Sequence, residues 1–192
     1  MKSAPDLKKT GKTNKDNKKI ARTRRQRGYH WEDTLVKRFN GLEDWKAFRL
    51  GSPSVALPDI LAVSTSNSTI FTIEAKSGTT NSLVVPYDQV QRCMRWVNTF
   101  ELYRIRKVIF AFKFLSKKRI GLGQYEKREL REYYKVWDAS YEPVDFACNY
   151  DGTTYLIGNG KRQRIELKDY TMPFNTKHAK IGRLAEIQCQ QA

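Results

Sequence analysis

Histidine and cysteine are scarce in this sequence, and their positions exclude several kinds of site. The only histidines are His30 and His178, and the three cysteines, Cys93, Cys148 and Cys189, lie far apart along the chain. No zinc-binding spacing can be made from them, and so few histidines argue against Ser-His or Cys-His nucleophilic catalysis. An odd number of scattered cysteines indicates an intracellular protein with reduced thiols.

Long apolar runs are also missing. No apolar stretch approaches the roughly 18 residues of a membrane span, and the amino-terminal end has no apolar segment of the signal-peptide type. We therefore expect no membrane association and a cytoplasmic, nucleoid-associated location. With 40% apolar residues among 192, the chain is long enough for one folded domain with a real core.

Acidic residues are outnumbered by basic ones. The chain has 20 Asp and Glu against 36 Lys and Arg, which gives a formal net charge of +16. A polyanion is the natural partner of such a chain. Nucleic acid is favoured over a membrane surface, because neither end carries a Lys/Arg-rich amphipathic helix with an apolar face.

The basic residues are most concentrated in residues 1–27, where eleven Lys and Arg face only Asp6 and Asp16 as acids. This segment has almost nothing apolar to bury, so it cannot offset its ordering entropy. We expect a disordered basic arm that binds phosphates without sequence preference. The alternative is an arm that only aids solubility.

The middle of the chain, residues 28–138, predicts a compact domain of the α/β class. A helix is expected from Gly28 to Gly41, with Glu32 unusually placed inside its apolar stripe. The expected strands lie at 45–50, 57–63, 69–76 and 107–115, with a second helix at 86–100. The last strand is apolar on both faces, which favours a parallel crossover onto a covered sheet. The predicted order is αβββαβ.

The end of the chain is harder to interpret. Its charge and turn patterns predict a short helix at 125–133, an added strand at 134–137, β-hairpins within 141–170 and a helix or tail at 180–192. We therefore treat residues 139–192 as a C-terminal β-rich extension of unknown role.

Three charged residues stand out in the predicted hairpin 57–76. Asp59 follows Pro58 at the start of its first strand, and Glu74 and Lys76 lie two apart near the end of its second. Because strand side chains alternate, Glu74 and Lys76 share one face. An exposed structural ion pair is the ordinary explanation, but charges on such an apolar, β-branched strand are costly unless they are used. Two carboxylates and a lysine have the chemistry of Mg²⁺-dependent phosphodiester hydrolysis.

At these positions the sequence resembles the archaeal-type Holliday junction resolvases, a family of the PD-(D/E)xK, or restriction-endonuclease-like, nuclease superfamily. The resemblance covers residues 28–138 and rests on Gly28 with Glu32, Arg49-Leu50-Gly51-Ser52, Leu57-Pro58-Asp59-Ile60-Leu61-Ala62, Ile73-Glu74-Ala75-Lys76-Ser77, the helix after Tyr87, and Ala111-Phe112-Lys113-Phe114-Leu115. The Pro-Asp…Glu-x-Lys signature is common to the superfamily, whereas Arg-x-Gly-Ser and Glu-Ala-Lys-Ser are more specific. The resemblance implies a restriction-endonuclease-like mixed β-sheet flanked by helices.

The resemblance also implies catalytic roles. Asp59 and Glu74 would ligate Mg²⁺, with Mn²⁺ as a substitute. Lys76 would assist the attacking water, and Glu32 would support the metal or the water. The reaction would be in-line attack of a metal-activated water on phosphorus, with neither an organic cofactor nor a covalent intermediate.

Substrate and partners follow from the same resemblance. Arg49 and Ser52 would contact the scissile-strand phosphate or shape the site. Family members are homodimers that nick two strands of a four-way DNA junction symmetrically, so branched DNA and a second copy of the chain are the expected partners. Two alternatives stay open: a restriction-like or repair endonuclease of this fold that acts on forks, flaps or duplex, and a non-catalytic basic nucleic-acid-binding protein.

Overall fold

The computed structural model describes residues 14–50, 56–121, 123–142 and 144–175. Within these residues lie two α-helices, α1 (Asn14–Asn40) and α2 (Tyr87–Thr99). They also contain the strands β1 (Lys46–Arg49), β2 (Ile60–Ser64), β3 (Thr69–Gly78), β4 (Ser82–Val85), β5 (Ile105–Phe114), β6 (Lys117–Arg119), β7 (Tyr125–Lys127), β8 (Arg131–Val136), β9 (Asp145–Asn149), β10 (Thr154–Gly158) and β11 (Lys161–Ile165).

The central sheet has five strands in the order β1-β2-β3-β5-β8. The predicted hairpin is present as the antiparallel pair of β2 and β3. The predicted crossover is also present, because β3 and β5, joined through α2, pair in parallel. β1 and β8 pair antiparallel at the two edges. The sheet is mixed and flanked by helices, so the predicted fold class is confirmed.

Both faces of the middle strands are buried, in two apolar clusters. On one face α1 packs against the sheet, and Phe39 meets Phe71 of β3 with ring centroids 6.3 Å apart. On the other face α2 contributes Val90 to a cluster that contains Phe110 of β5. Alternate residues of β3 and β5 therefore enter opposite clusters, which explains why the sequence of β5 is apolar on both faces.

A second, four-stranded sheet has the order β11-β10-β9-β4, and three of its strands come from the predicted C-terminal extension. β9 pairs antiparallel with β4, where Val84 lies opposite Ala147. Phe146 of β9 packs on Phe110 of β5 with ring centroids 5.1 Å apart. The extension thus completes the core on the α2 side, so the described residues before and after position 138 share one apolar cluster. The sequence analysis missed β4, because four residues carry too short a pattern.

The first helix begins at Asn14 rather than at the predicted Gly28. Residues 14–27 contain neither proline nor glycine and are rich in Lys and Arg, which are good helix formers. They extend a helix that is already nucleated by the packed residues after Gly28, so the scarcity of apolar side chains among them does not prevent helix formation. Residues 1–13 of the predicted arm lie outside the described residues. Neither helix of the described chain is long and apolar enough to cross a membrane.

The helix predicted at 125–133 is wrong. β7 pairs with β6 in a separate two-stranded hairpin, and β8 pairs with β5. Charged residues with good helix propensity suggested a helix, but the open edge of β5 offers ladder hydrogen bonds and packing that outweigh this weak preference. The strand predicted at 134–137 corresponds to the end of β8. The segment predicted at 180–192 lies outside the described residues.

Replacing Phe146 by Ala should destabilise the whole domain by about 3–5 kcal/mol, because its ring is fully buried against Phe110 and Phe112. Urea unfolding followed by tryptophan fluorescence should show a single transition at lower urea concentration. The matched control is Phe48→Ala, which removes a 54% exposed ring and should cost less than about 1 kcal/mol. A loss below 1 kcal/mol for Phe146→Ala, or unfolding in two steps, would show that β9 is a separate appendage.

Candidate active site

The buried carboxylate of Glu74 lies at the centre of the candidate site. β3 places Glu74 and Lys76 on the face that packs against α2, and the side chain of Glu74 is 0% exposed. Lys76 Nζ lies 2.7 Å from Glu74 Oε1, and Arg92 Nη2 of α2 lies 2.9 Å from Glu74 Oε2. Each carboxylate oxygen therefore has a cationic partner, which reduces the large cost of burying this charge.

Asp59 reaches the same place from the neighbouring strand. It directly precedes β2, whose first residue, Ile60, pairs with Ile73 of β3, so Asp59 lies beside Glu74. The backbone N–H of Ala75 donates a 2.9 Å hydrogen bond to Asp59 Oδ2, and the Asp59 carbonyl accepts one from the N–H of Leu50. The register of the predicted hairpin thus brings the two carboxylates together.

Asp59 has a strongly shifted acidity. Its pKa is raised from 3.8 to about 7, mainly by burial and in part by the negative charge of Glu74. Lys76 and the hydrogen bond from Ala75 oppose this shift only in part. Among the described residues no cation forms an ion pair with Asp59, so negative charge accumulates here without full compensation.

Glu32 approaches the site from α1. It lies inside the apolar stripe of the helix, as predicted, and is only 8% exposed. Burial raises the pKa of Glu32, with a further contribution from Glu74, while Arg49 and Lys76 lower it. Because Glu74 and Lys76 both act on the pKa of Glu32, this third predicted carboxylate lies within electrostatic range of the Glu74–Lys76 pair.

Of the two predicted phosphate-binding residues, only Arg49 lies within the described residues. Arg49 is exposed at the end of β1, where its guanidinium lies 3.3 Å from Asp33 and 4.9 Å from the ring centroid of Tyr29. Its positive charge acts on Glu32 through space rather than through a hydrogen bond. Ser52 lies outside the described residues.

The site fits a hard divalent cation with two protein carboxylates as ligands rather than three. In the described part of the chain, no group of three His, Cys, Asp or Glu is placed to hold a metal ion. Asp59 and Glu74 alone supply carboxylate oxygens, and Mg²⁺ commonly uses one or two protein carboxylates together with water and phosphate. The poorly compensated charge of Asp59 also favours an added cation. The role predicted for Glu32 as a third metal ligand stays a prediction.

Two residues of α2 complete the site, and the sequence analysis missed both. In the helical pattern of α2, Arg92 falls off the centre of the apolar face, yet it is buried and bound to Glu74. Cys93 lies with its Sγ 4.0 Å from Glu74 Oε2, and burial raises the pKa of its thiol well above the ordinary value. The available signal was the need for charge compensation: a glutamate on a strand buried on both faces requires a cation from the element that covers it.

No protein-family model matches the sequence, and no curated protein matches it. Among solved structures, Hjc from Archaeoglobus fulgidus, a Holliday junction resolvase of an archaeal hyperthermophile, is similar with a TM-score of 0.43 and 18% sequence identity. The match covers 65% of this chain and 85% of Hjc. At this level of similarity it assigns no activity and no residue role to this chain.

Replacing Arg92 by Met should destabilise the fold by about 3–5 kcal/mol, because one oxygen of the buried Glu74 carboxylate would lose its cation. The double variant Arg92→Met with Glu74→Met should recover much of this loss, since neither member of the ion pair is then left buried without its partner. Urea unfolding of the wild type, both single variants and the double variant measures the coupling. Additive losses would show that the two residues do not stabilise each other.

The acidity of Asp59 gives a prediction for the metal-free protein. The folded chain holds this proton more tightly than the unfolded chain, where the pKa is 3.8. The proton therefore stabilises the fold at about pH 5, and its contribution is lost as pH rises through about 7. Relative to the wild type, Asp59→Asn should gain stability by up to about 1.4 kcal/mol per pH unit between pH 5 and 7.

Urea unfolding with a chelator at pH 5, 6, 7 and 8 would measure this difference. The matched control is Glu101→Gln, which changes an exposed acid just after α2, away from the site. Parallel pH profiles for the wild type and Asp59→Asn would mean that the pKa of Asp59 is not raised in the folded protein.

Proposed function

We propose that this chain is a metal-dependent DNA endonuclease. The observation that carries the proposal is the meeting of Asp59, Glu74 and Lys76 at one end of the central sheet, with Glu32 buried nearby. Clustered carboxylates in a strongly basic chain repel DNA unless a cation neutralises them. A cation-assisted reaction at a phosphodiester gives these groups a use that simple DNA binding does not.

The cation would be held by Asp59 and Glu74, as Mg²⁺ or, in its place, Mn²⁺. When bound, it would act as a Lewis acid that polarises the phosphodiester. Glu74 already accepts from Lys76 and Arg92, so one of these contacts would loosen on binding. Because Arg92 is the more deeply buried of the two cations, we expect Lys76 to be the one that moves.

The protein side chains would supply the remaining chemistry. The side chain of Lys76 is 23% exposed, against 0% for Glu74, so its ammonium can turn towards a phosphodiester at the surface. There it would offset the negative charge that develops on the phosphate oxygens and orient the attacking water. Glu32, whose pKa is raised by burial, would accept a proton from that water or hold it in line for attack.

The finer assignment is cleavage of four-way DNA junctions by paired, symmetric nicks. Its support is the sequence resemblance, above all the Arg-x-Gly-Ser stretch that ends at Ser52, and it requires a homodimer with two sites. Junction choice would depend on the geometry of the phosphate backbone rather than on base reading, so affinity should fall steeply with salt.

A second candidate function is nucleic-acid binding without cleavage. One observation favours it: Lys76 and Arg92 already occupy both carboxylate oxygens of Glu74. In that case the carboxylate would join β3 to α2, and the net charge of +16 would account for DNA binding.

A cleavage assay separates these functions. The purified full chain would be incubated with a labelled four-way junction, a fork and a linear duplex, with Mg²⁺, Mn²⁺ or chelator. The informative variant is Asp59→Asn, because its amide oxygen can still accept the Ala75 hydrogen bond. We expect it to reduce cleavage at least about 100-fold while binding the junction as well as the wild type or better, because a negative charge near phosphate is removed.

Glu101→Gln is again the matched control and should cleave like the wild type. Glu74→Ala is less informative, since it would leave Arg92 buried without its carboxylate. Symmetric, metal-dependent nicks in the junction would support the full proposal. Equal cutting of the fork or duplex would support the endonuclease proposal and contradict the proposed specificity for junctions. A junction that is bound but never cut with any divalent metal would establish the second candidate.

A further inference from the structure

A basic cleft lies outside the candidate active site, between the β6–β7 hairpin and the second sheet. Its volume is about 560 Å³ and it is open to solvent. The charged side chains that line it are Lys118, Lys127, Arg128 and Arg162, with Glu126 and Asp151 as the acids. All of these residues follow β5, in the part of the chain to which no functional role has yet been assigned.

Positive charge in this cleft is only partly compensated. Lys118 lies 3.8 Å from Glu126, whereas Lys127, Arg128 and Arg162 form no ion pair with any acid among the described residues. Burial lowers the pKa of Arg128, and no carboxylate acts on it to oppose this effect. A cation that is partly removed from water without an acid beside it is stabilised by an anionic ligand.

The two guanidinium groups are held in place. Arg128 lies 4.4 Å from the ring centroid of Tyr150 and donates a 3.2 Å hydrogen bond to Asn81 Oδ1. Arg162 lies 4.5 Å from the ring centroid of Tyr155 and donates a 3.2 Å hydrogen bond to Asn149 Oδ1. Groups fixed in this way lose little conformational entropy when they bind a ligand.

The cleft adjoins the candidate active site through β3. Arg128 Nη2 lies 3.5 Å from the carbonyl oxygen of Gly78, which follows Lys76 by two residues, or roughly 7 Å at the usual strand rise. A Cβ at Gly78 would lie 2.7 Å from a terminal methyl group of Leu83 of β4, which shows how closely the two strands approach here. The close approach of β3 and β4 thus places the cleft at the same end of the sheet as the carboxylates.

We infer that this cleft binds the phosphate backbone of the DNA strand that passes through the candidate active site. Lys127 and Arg162 would donate to phosphodiester oxygens, while Arg128 would contribute positive charge and fix the wall of the cleft. The inference rests on the proposed function, and it assigns the β6–β7 hairpin and the second sheet to substrate binding. Contacts of this kind are independent of base sequence and sensitive to salt.

The test is a junction-binding titration of the full chain in chelator, so that cleavage plays no part. The charge-reversal variant Lys127→Glu with Arg162→Glu should bind roughly tenfold or more weakly than the wild type at about 0.1 M salt. The matched control is Arg104→Glu with Arg106→Glu, which makes the same charge change at the opposite end of β5. Both control residues are exposed, and the double control should lose no more than about threefold.

The salt dependence of binding gives a second readout, and neutral variants avoid the repulsion that charge reversal introduces. The neutral variant Lys127→Gln with Arg162→Gln should reduce the slope of log K against log salt by about 0.9 for each lost phosphate contact. Because Arg162 also supports Asn149, the single exposed variant Lys127→Glu and thermal melts of every variant would separate lost binding from lost folding.

Each outcome decides the proposal. Weaker binding by the cleft variants than by the matched control, with unchanged melting temperature, supports it. Equal loss for cleft and control variants would overturn the cleft assignment while the endonuclease proposal stands on wild-type cleavage. A wild type that neither binds nor cuts DNA would overturn both.

Discussion

The buried carboxylate of Glu74 is the constraint on which the rest of the structure depends. It lies on a strand that is covered on both faces, where an uncompensated charge would cost several kcal/mol, a large fraction of the free energy of folding of a whole domain. Compensation comes from two directions, from Lys76 on the same strand and from Arg92 on α2. The ion pair with Arg92 therefore fixes α2 against β3, in addition to the apolar packing of that helix.

The need to cover the central sheet on both faces explains the size of the fold. A sheet whose central strands carry apolar residues on both sides must be covered twice. α1 covers one side, but α2 has only 13 residues and leaves part of β5 open on the other. Phe146 of β9 fills that space against Phe110 and Phe112. The C-terminal strands are thus part of the core, and the basic cleft is a consequence of where their sheet meets the β6–β7 hairpin.

Local pattern predicted one half of the site, and the other half depends on contacts between distant segments. Strand alternation placed Glu74 and Lys76 on one face, and the hairpin register brought Asp59 beside them. Arg92 could not be predicted in the same way, because its partner is 18 residues away and its helix pattern only shows it near the edge of an apolar face. β8 was mistaken for a helix for a related reason: pairing with β5 outweighs its own propensity.

The electrostatics of the site also bear on how a cation would bind. Near neutral pH part of the Asp59 population carries a proton, since burial and Glu74 raise its pKa to about 7. A cation at Asp59 would displace that proton, and the cost of displacing it falls as pH rises through this range. The charge of Glu74, by contrast, is already compensated by Lys76 and Arg92. The two carboxylates of the proposed site would thus contribute differently: Asp59 would gain a partner on metal binding, whereas Glu74 would exchange one.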